Sequence, residues 1–151
     1  MNDGEEGPIT LKLVSISEKK DFLAMYMSHR MEIMSLGIEH GDQGRDDQLS
    51  RFWNDPDTNY LIWIHSDGKN IGFAAVSVFE HNKGKLLDLG IFRDHRDKEL
   101  GKRAVEEIMR FSNYRGLKRL EIEFNKAPEK TLKFFEETGF ERDGMKLTKD
   151  L

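Results

Sequence analysis

Apolar and polar positions change rhythm several times along the chain. Residues 9–16, ITLKLVSI, alternate as an edge strand does. Ser17 then stands where a helix N-cap belongs, before EKKDFLAMYMSHRMEIMSL. Phe22, Met25, Tyr26, Arg30, Ile33 and Leu36 form a helical stripe there, apolar except at Arg30. The glycine-rich, charged run GIEHGDQGRDD reads as a loop, and QLSRFWND as a short second helix stopped by Pro56. Three strand-like runs follow: 59–65, 71–80 and 85–92. Asp67-Gly68 is a strong hairpin signal between the first two, and HNKG turns into the third, so the three predict an antiparallel meander.

The period then returns to helical. From Lys98 to about Ser112, Gly101, Ala104, Val105, Ile108 and Phe111 share a face, and Gly116 offers a stop. Residues 118–124, KRLEIEF, alternate as a strand. Pro128 is placed to open a helix at its first position, ending at Gly139, and FERDGMKLTKDL closes as a hairpin-like tail. The order β-α-α-β-β-β-α-β-α-β(β) predicts an α+β sheet with helices on its faces. One domain over 9–151, after a flexible polar leader of residues 1–8, is the expected organisation.

Composition narrows the function classes. The formal net charge of -4 argues against a general nucleic-acid binder, whose affinity rests on phosphate neutralisation. No apolar run approaches the roughly 18 residues of a membrane span, so no membrane partner is expected. The absence of cysteine excludes disulfides, thiolate metal sites and a cysteine nucleophile. No metal site is expected. The acidic start MNDGEEGP lacks the basic-then-apolar layout of a signal peptide, and a cytoplasmic protein is the expectation.

Positive charge gathers locally instead. Arg93, Arg96, Lys98, Lys102 and Arg103 outnumber Asp94, Asp97 and Glu99 at the start of the helix near Lys98. A helix N-terminus carries unpaired N–H groups and a partial positive charge, which suit a phosphate. Three or four hydrogen bonds to a charged acceptor, at about 1.5–3 kcal/mol each, supply much of the roughly 8 kcal/mol of a micromolar ligand. Gly101 leaves room for close approach. An ordinary solvated helix start is the alternative reading of this segment alone.

Two landmarks resolve that choice. The strand residues Leu89 to Ile91 are followed by Arg96-Asp97-Lys98-Glu99-Leu100-Gly101, and KTLKFFEETGF ends with Phe135, three residues, then Gly139-Phe140. In this spacing the chain resembles the GNAT family of acyl-CoA-dependent N-acyltransferases. The loop matches the pyrophosphate motif Gln/Arg-x-x-Gly-x-Gly/Ala at its first and last positions. The resemblance covers residues 9–151 in element order and is sharpest over 86–140.

The resemblance implies a GNAT-like α+β fold: a central mixed, mostly antiparallel sheet of six to seven strands flanked by about four helices. It implies acetyl-CoA as co-substrate and a small-molecule or peptide amine as acceptor, attacking the thioester directly in a ternary complex. Ile91 and Arg93 are then expected to pair with the pantetheine arm through main chain. The backbone of Arg96, Asp97, Lys98, Glu99, Leu100, Gly101 and Lys102 is expected to hold the pyrophosphate, with Lys130 or Lys133 within reach. A homodimer is left open.

Three positions depart from the family pattern. Glu99 replaces the inner glycine, Phe135 stands where many members have a tyrosine that protonates the departing thiolate, and Pro128 replaces an asparagine. The strand glutamate of some members corresponds to Lys85. Glu80, His81 and Glu123 are the candidate bases, with His65 behind them, each with the ordinary alternative of a surface or strand-end residue. Glu39, His40, Asp42, Asp46 and Asp47 form an acidic region suited to a cationic amine, or a merely polar loop. A degenerate acyl-CoA-binding or protein-interaction module of the same fold is the competing reading.

Overall fold

The computed structural model describes residues 8–40, 59–96 and 98–151, without the side chains of Glu39, His40 and Lys98. Residues 1–7 of the leader, the second helix, the acidic positions 42, 46 and 47 and the loop position Asp97 lie outside the described residues. Strand β1 (Ile9–Leu13) leads through a 3-10 turn (Ile16–Glu18) into helix α1 (Lys19–Ser35) and the two-residue strand β2 (Glu39–His40). The meander is β3 (Asn59–Ser66), β4 (Lys69–Phe79) and β5 (Lys83–Ile91). A second 3-10 turn (Arg93–His95) precedes α2 (Lys98–Tyr114), β6 (Arg119–Lys126), α3 (Glu129–Glu137), β7 (Glu141–Asp143) and β8 (Lys146–Asp150).

The strands run β1-β3-β4-β5-β6-β8-β7, with β2 paired to β6 off this path. All these pairs are antiparallel except β5–β6, so the sheet is mixed through one parallel junction. The described residues hold three α-helices rather than about four.

Local chemistry accounts for the boundaries. Ser15, not Ser17, caps the 3-10 turn that leads into α1, whose own N-cap position is Glu18: the Ser15 N–H donates to Glu18 Oε1 at 2.9 Å, which needs the serine three residues ahead of the glutamate. Asp67 (φ 54°) and Gly68 (φ 76°) make the two-residue turn between β3 and β4. Pro128 sits one position earlier than expected, as N-cap of α3.

The sheet buries both faces. On one, Phe22 and Tyr26 of α1 pack on Leu61, Trp63, Phe73, Ala75 and Leu87. On the other, Leu100, Ala104, Val105 and Ile108 of α2 and Leu132 and Phe135 of α3 pack on Ile62, Ile64, Val76, Leu86 and Leu120. Each fully buried aliphatic side chain contributes about 1.5–3 kcal/mol, which fixes both helix layers against the strands. Phe135 is part of this core, edge-on to Phe140 at 5.8 Å.

Candidate active site

Strands β5 and β6 pair only over Lys83–Lys85 with Arg119–Glu121 and then separate. Beyond the split, β6 takes β2 as its neighbour, at Glu39↔Lys126 and His40↔Phe124. The facing edge of β5 has no strand partner among the described residues. Phe92 N–H donates to Ile71 on β4 at 2.8 Å, so by alternation the main-chain groups of Leu89 and Ile91 point into the split.

A bulge in β5 decides which side chains follow. Val76 pairs with Leu86 while Ala75 pairs with Asp88, leaving Leu87 as the extra residue. From there the side chains exchange faces. Asp88 and Gly90 turn to the α1 side with Ala75 and Phe73, whereas Leu89 and Ile91 turn to the α2 side.

Two spaces result. A cleft of about 420 Å³ is lined by His29, Ile33, Leu36, Ile38, Leu89, Gly90, Ile91, Arg96, Gly101 and Phe134. A smaller cavity of about 60 Å³ lies deeper in the split, between Asp88 on β5, Ile122 and Phe124 on β6, and Thr131 and Phe135 on α3. His29, Ile33, Ile38 and Leu89 line both.

The basic end of the cleft is organised by an acid. Glu32 on α1 receives Arg93 Nη2 at 2.6 Å and also pairs with Arg96. The Arg96 guanidinium, with Arg93 beside it, holds the Glu32 carboxyl below its ordinary range. Arg96 Nε additionally donates to the Ile91 carbonyl at 2.9 Å. One arginine thus ties the loop, α1 and the open edge of β5 together.

The first turn of α2, from Lys98, leaves main-chain N–H groups without an acceptor inside the helix. Gly101 is buried beneath it, where an added Cβ would lie 3.2 Å from Cζ of Phe134. Its lack of a side chain therefore serves packing against α3 as well as an open approach. Glu99 is exposed, and Lys102 Nζ reaches Glu137 on α3 at 3.4 Å.

Several expected roles move. Arg93 belongs to a 3-10 turn rather than to the strand, so the open edge carries Leu89 and Ile91 in place of Ile91 and Arg93. Arg96 N–H already meets the Arg93 carbonyl at 3.3 Å, and Lys102 lies beyond the first helical turn. Glu80 and His81 sit in the β4–β5 turn at positive φ, with Glu80 paired to Lys83 at 3.2 Å. That turn is the full length of β5 from Ile91, roughly 25 Å at 3.3 Å per residue. Glu123 is exposed and alternates away from Ile122 and Phe124, which face the cavity. His65 and Lys85 line neither space. Lys130 and Lys133 are exposed on α3.

The sequence reading passed over His29 and Asp88. His29 Nε2 lies 3.7 Å from Asp88 Oδ1, with side-chain exposures of 8% and 0%. The imidazole packs edge-on to Phe73, ring centroids 4.9 Å apart. Gly90 makes room for it, since a Cβ there would stand 2.6 Å from His29 Cε1. Helical spacing does place His29 with Phe22, Tyr26 and Ile33 on the buried side of α1. That spacing was the available signal; the bulge that turns Asp88 toward it had none.

A mixed sheet split after one short parallel junction, with a helix N-terminus at the mouth of the split, is the framework of an acyltransferase. The acetyltransferase (GNAT) family model matches residues 24–140, and the chain belongs to that family. No curated protein matches it in sequence. Among solved structures it is similar to the PaiA N-acetyltransferase of Thermoplasma acidophilum in complex with coenzyme A, at 15% identity and TM-score 0.65, covering 95% of this chain and 99% of that one. It is also similar to the ribosomal-protein-S18-alanine N-acetyltransferase of Escherichia coli, at 14% identity and TM-score 0.67, with 94% and 93% covered. An acetyltransferase from Thermus thermophilus gives 19% identity and TM-score 0.68, with 95% and 97% covered. No helix among the described residues is long and apolar enough to cross a membrane.

Proposed function

We propose that the protein is an N-acetyltransferase that moves the acetyl group of acetyl-CoA to a primary amine by direct attack in a ternary complex. The observation that carries this reading is the open edge of β5 at Leu89 and Ile91, leading straight to the first turn of α2. The pantetheine amides pair with that edge as an added strand would. The pyrophosphate lies at the N–H groups of residues 98–100, over Gly101, with Arg96 and Arg93 as nearby cations. The coenzyme A bound to the Thermoplasma protein supports this assignment. The amine enters through the split toward the thioester. The acceptor is a small molecule or a peptide, the domain spans residues 9–151, and the cysteine-free sequence favours a cytoplasmic location.

Calorimetric titration with acetyl-CoA, coenzyme A and ATP is the first test, followed by thiol release in the presence of spermidine, an aminoglycoside, free lysine and a peptide with a free amino terminus. Micromolar affinity for acetyl-CoA and amine-dependent thiol release are expected. Two features favour a second reading, a binding module without transfer. Arg96 occupies the Ile91 carbonyl, and Phe135 has no hydroxyl with which to protonate a thiolate. Tight binding with no thiol release from any amine would select that second reading.

A further inference from the structure

We propose that His29 takes the proton of the attacking amine and that Asp88 is its positioning residue. The proposal rests on the N-acetyltransferase reading and supplies the base that reading lacks. His29 is one of four side chains shared by the cleft and the deeper cavity, and it is the one among them that can accept a proton. It therefore stands where the coenzyme arm along β5 and an amine in the split would meet.

The local packing orients the ring. Nε2 faces Asp88 across 3.7 Å, so the carboxylate favours the tautomer with its proton on Nε2. Nδ1 then carries the lone pair on the side of Gly90, which lines the wider cleft. Phe73 packs edge-on against the ring and holds it beside Gly90. A gap of 3.7 Å exceeds a hydrogen bond, and such contacts tighten when the substrate is bound. Among the described residues, the charged groups around the ring are Asp88 from β5, Arg96 from the loop after it and Glu32 from α1, the last already engaged by Arg93 and Arg96. From β6 and α3 the lining is Ile122, Phe124, Thr131 and Phe135, none of them charged. Asp88 is thus the acid closest to the imidazole in this lining, placed to stabilise the imidazolium as it forms.

The step balances without another reactant. The amine nitrogen forms a bond to the thioester carbonyl carbon, and the C–S bond breaks with its electron pair leaving on sulfur. One ammonium proton passes to His29 Nδ1 before the attack, the second N–H proton is lost to solvent as the tetrahedral adduct collapses, and the thiolate takes a proton from solvent.

The test compares the wild type with His29→Gln and Asp88→Asn, reading acetyl-CoA affinity by calorimetry and thiol release against pH with the four amines named above. General-base catalysis is worth about 10²–10⁴-fold. The expected result for His29→Gln is a loss of about 100-fold or more in kcat, with acetyl-CoA affinity changed by less than about threefold. The loss shrinks as pH approaches the amine's own pKa, where the free amine needs no base. Asp88→Asn is expected to keep part of the activity and to move the acidic limb of the profile to lower pH, because the imidazolium loses its stabilising charge. A purely structural pair would lower thermal stability and leave the pH profile in place. Wild-type transfer that His29→Gln leaves intact, with the same acidic limb, overturns this proposal alone. If His29→Gln does not fold, an unmoved limb in Asp88→Asn has the same force. Absence of transfer in the wild type overturns the N-acetyltransferase reading, and this proposal with it.

Discussion

Gly90→Ala is the smallest change that reaches the split from the backbone. The new methyl would stand 2.6 Å from Cε1 of His29, 2.9 Å from its Nδ1 and 2.6 Å from Cε1 of Phe73. Carbon atoms pack best at about 3.5–4.0 Å, so both contacts must open by about 0.9 Å. Neither ring has space to spare. Phe73 is fully buried and is wedged edge-on against Phe22 at 5.7 Å and Tyr26 at 5.9 Å. His29, held by the helix through Tyr26 and Ile33, yields first and moves away from β5.

Overpacking of this kind costs about 1–3 kcal/mol. For a chain of this length, with about 2–4 °C of melting temperature per kcal/mol, that is a fall of about 2–12 °C. A displacement near 1 Å in a group that must meet the reacting atoms costs about 100-fold in rate. Acetyl-CoA affinity should change little, since Leu89, Ile91 and the first turn of α2 stay in place. Circular dichroism melts, calorimetry and thiol release measure the three quantities separately. A variant that melts within about 1 °C of the wild type and keeps full kcat would refute the argument, because the ring could not then be seated against Gly90.

Glu32→Gln removes the acid that holds Arg93 and Arg96 and loosens the Arg96 contact to the Ile91 carbonyl; with exposed pairs worth about 0.2–1 kcal/mol, acetyl-CoA should bind up to about fivefold more tightly by calorimetry. Glu99→Gly removes a carboxylate beside the phosphate position and should also tighten acetyl-CoA binding, while an unchanged affinity would place that side chain away from the phosphates. Stability should fall in acid: the Ser15 N–H lowers the carboxyl of Glu18, Arg96 that of Glu32, and Arg142 that of Glu129, each from an ordinary 4.5. These carboxylates bind protons less readily folded than unfolded. Their contribution is therefore complete above 4.5 and is lost as pH falls through the lowered values. A melting temperature that is flat down to about pH 5 and drops below that range is expected.

The part of the site made of contiguous residues was legible in the sequence. Strand, loop and helix from residue 85 to 114 follow from alternation, charge and one glycine, and Gly139-Phe140 marks the end of α3. The misplaced elements are those where a neighbour in space decides. Ser15 outcompetes Ser17 because Glu18 lies three residues beyond it. Arg93 leaves the strand because its side chain is drawn to Glu32 and its carbonyl to Arg96 N–H. Glu80, His81 and Glu123 carry suitable chemistry at positions that the topology keeps out of the split.

The bulge at Leu87 explains why the candidate base was hidden. In a regular strand continuing the Val76↔Leu86 pairing, Ala74 would meet Asp88, and the carboxylate would point into the apolar layer between the sheet, α2 and α3. An uncompensated carboxylate there would cost several kcal/mol. One extra residue returns Asp88 to the α1 side, next to a histidine, and leaves Leu89 and Ile91 to cover α2. The same residue brings Gly90 under the imidazole ring. Deleting Leu87 would close the bulge and leave Asp88 opposite Ala75, on the α1 side. It would keep Asp88 beside His29 and Gly90 under the ring, and would remove the buried Leu87 side chain from the layer under α1. The cost should appear in thermal stability, through the lost Leu87 packing, with the pH profile unmoved, whereas Gly90→Ala displaces the imidazole itself.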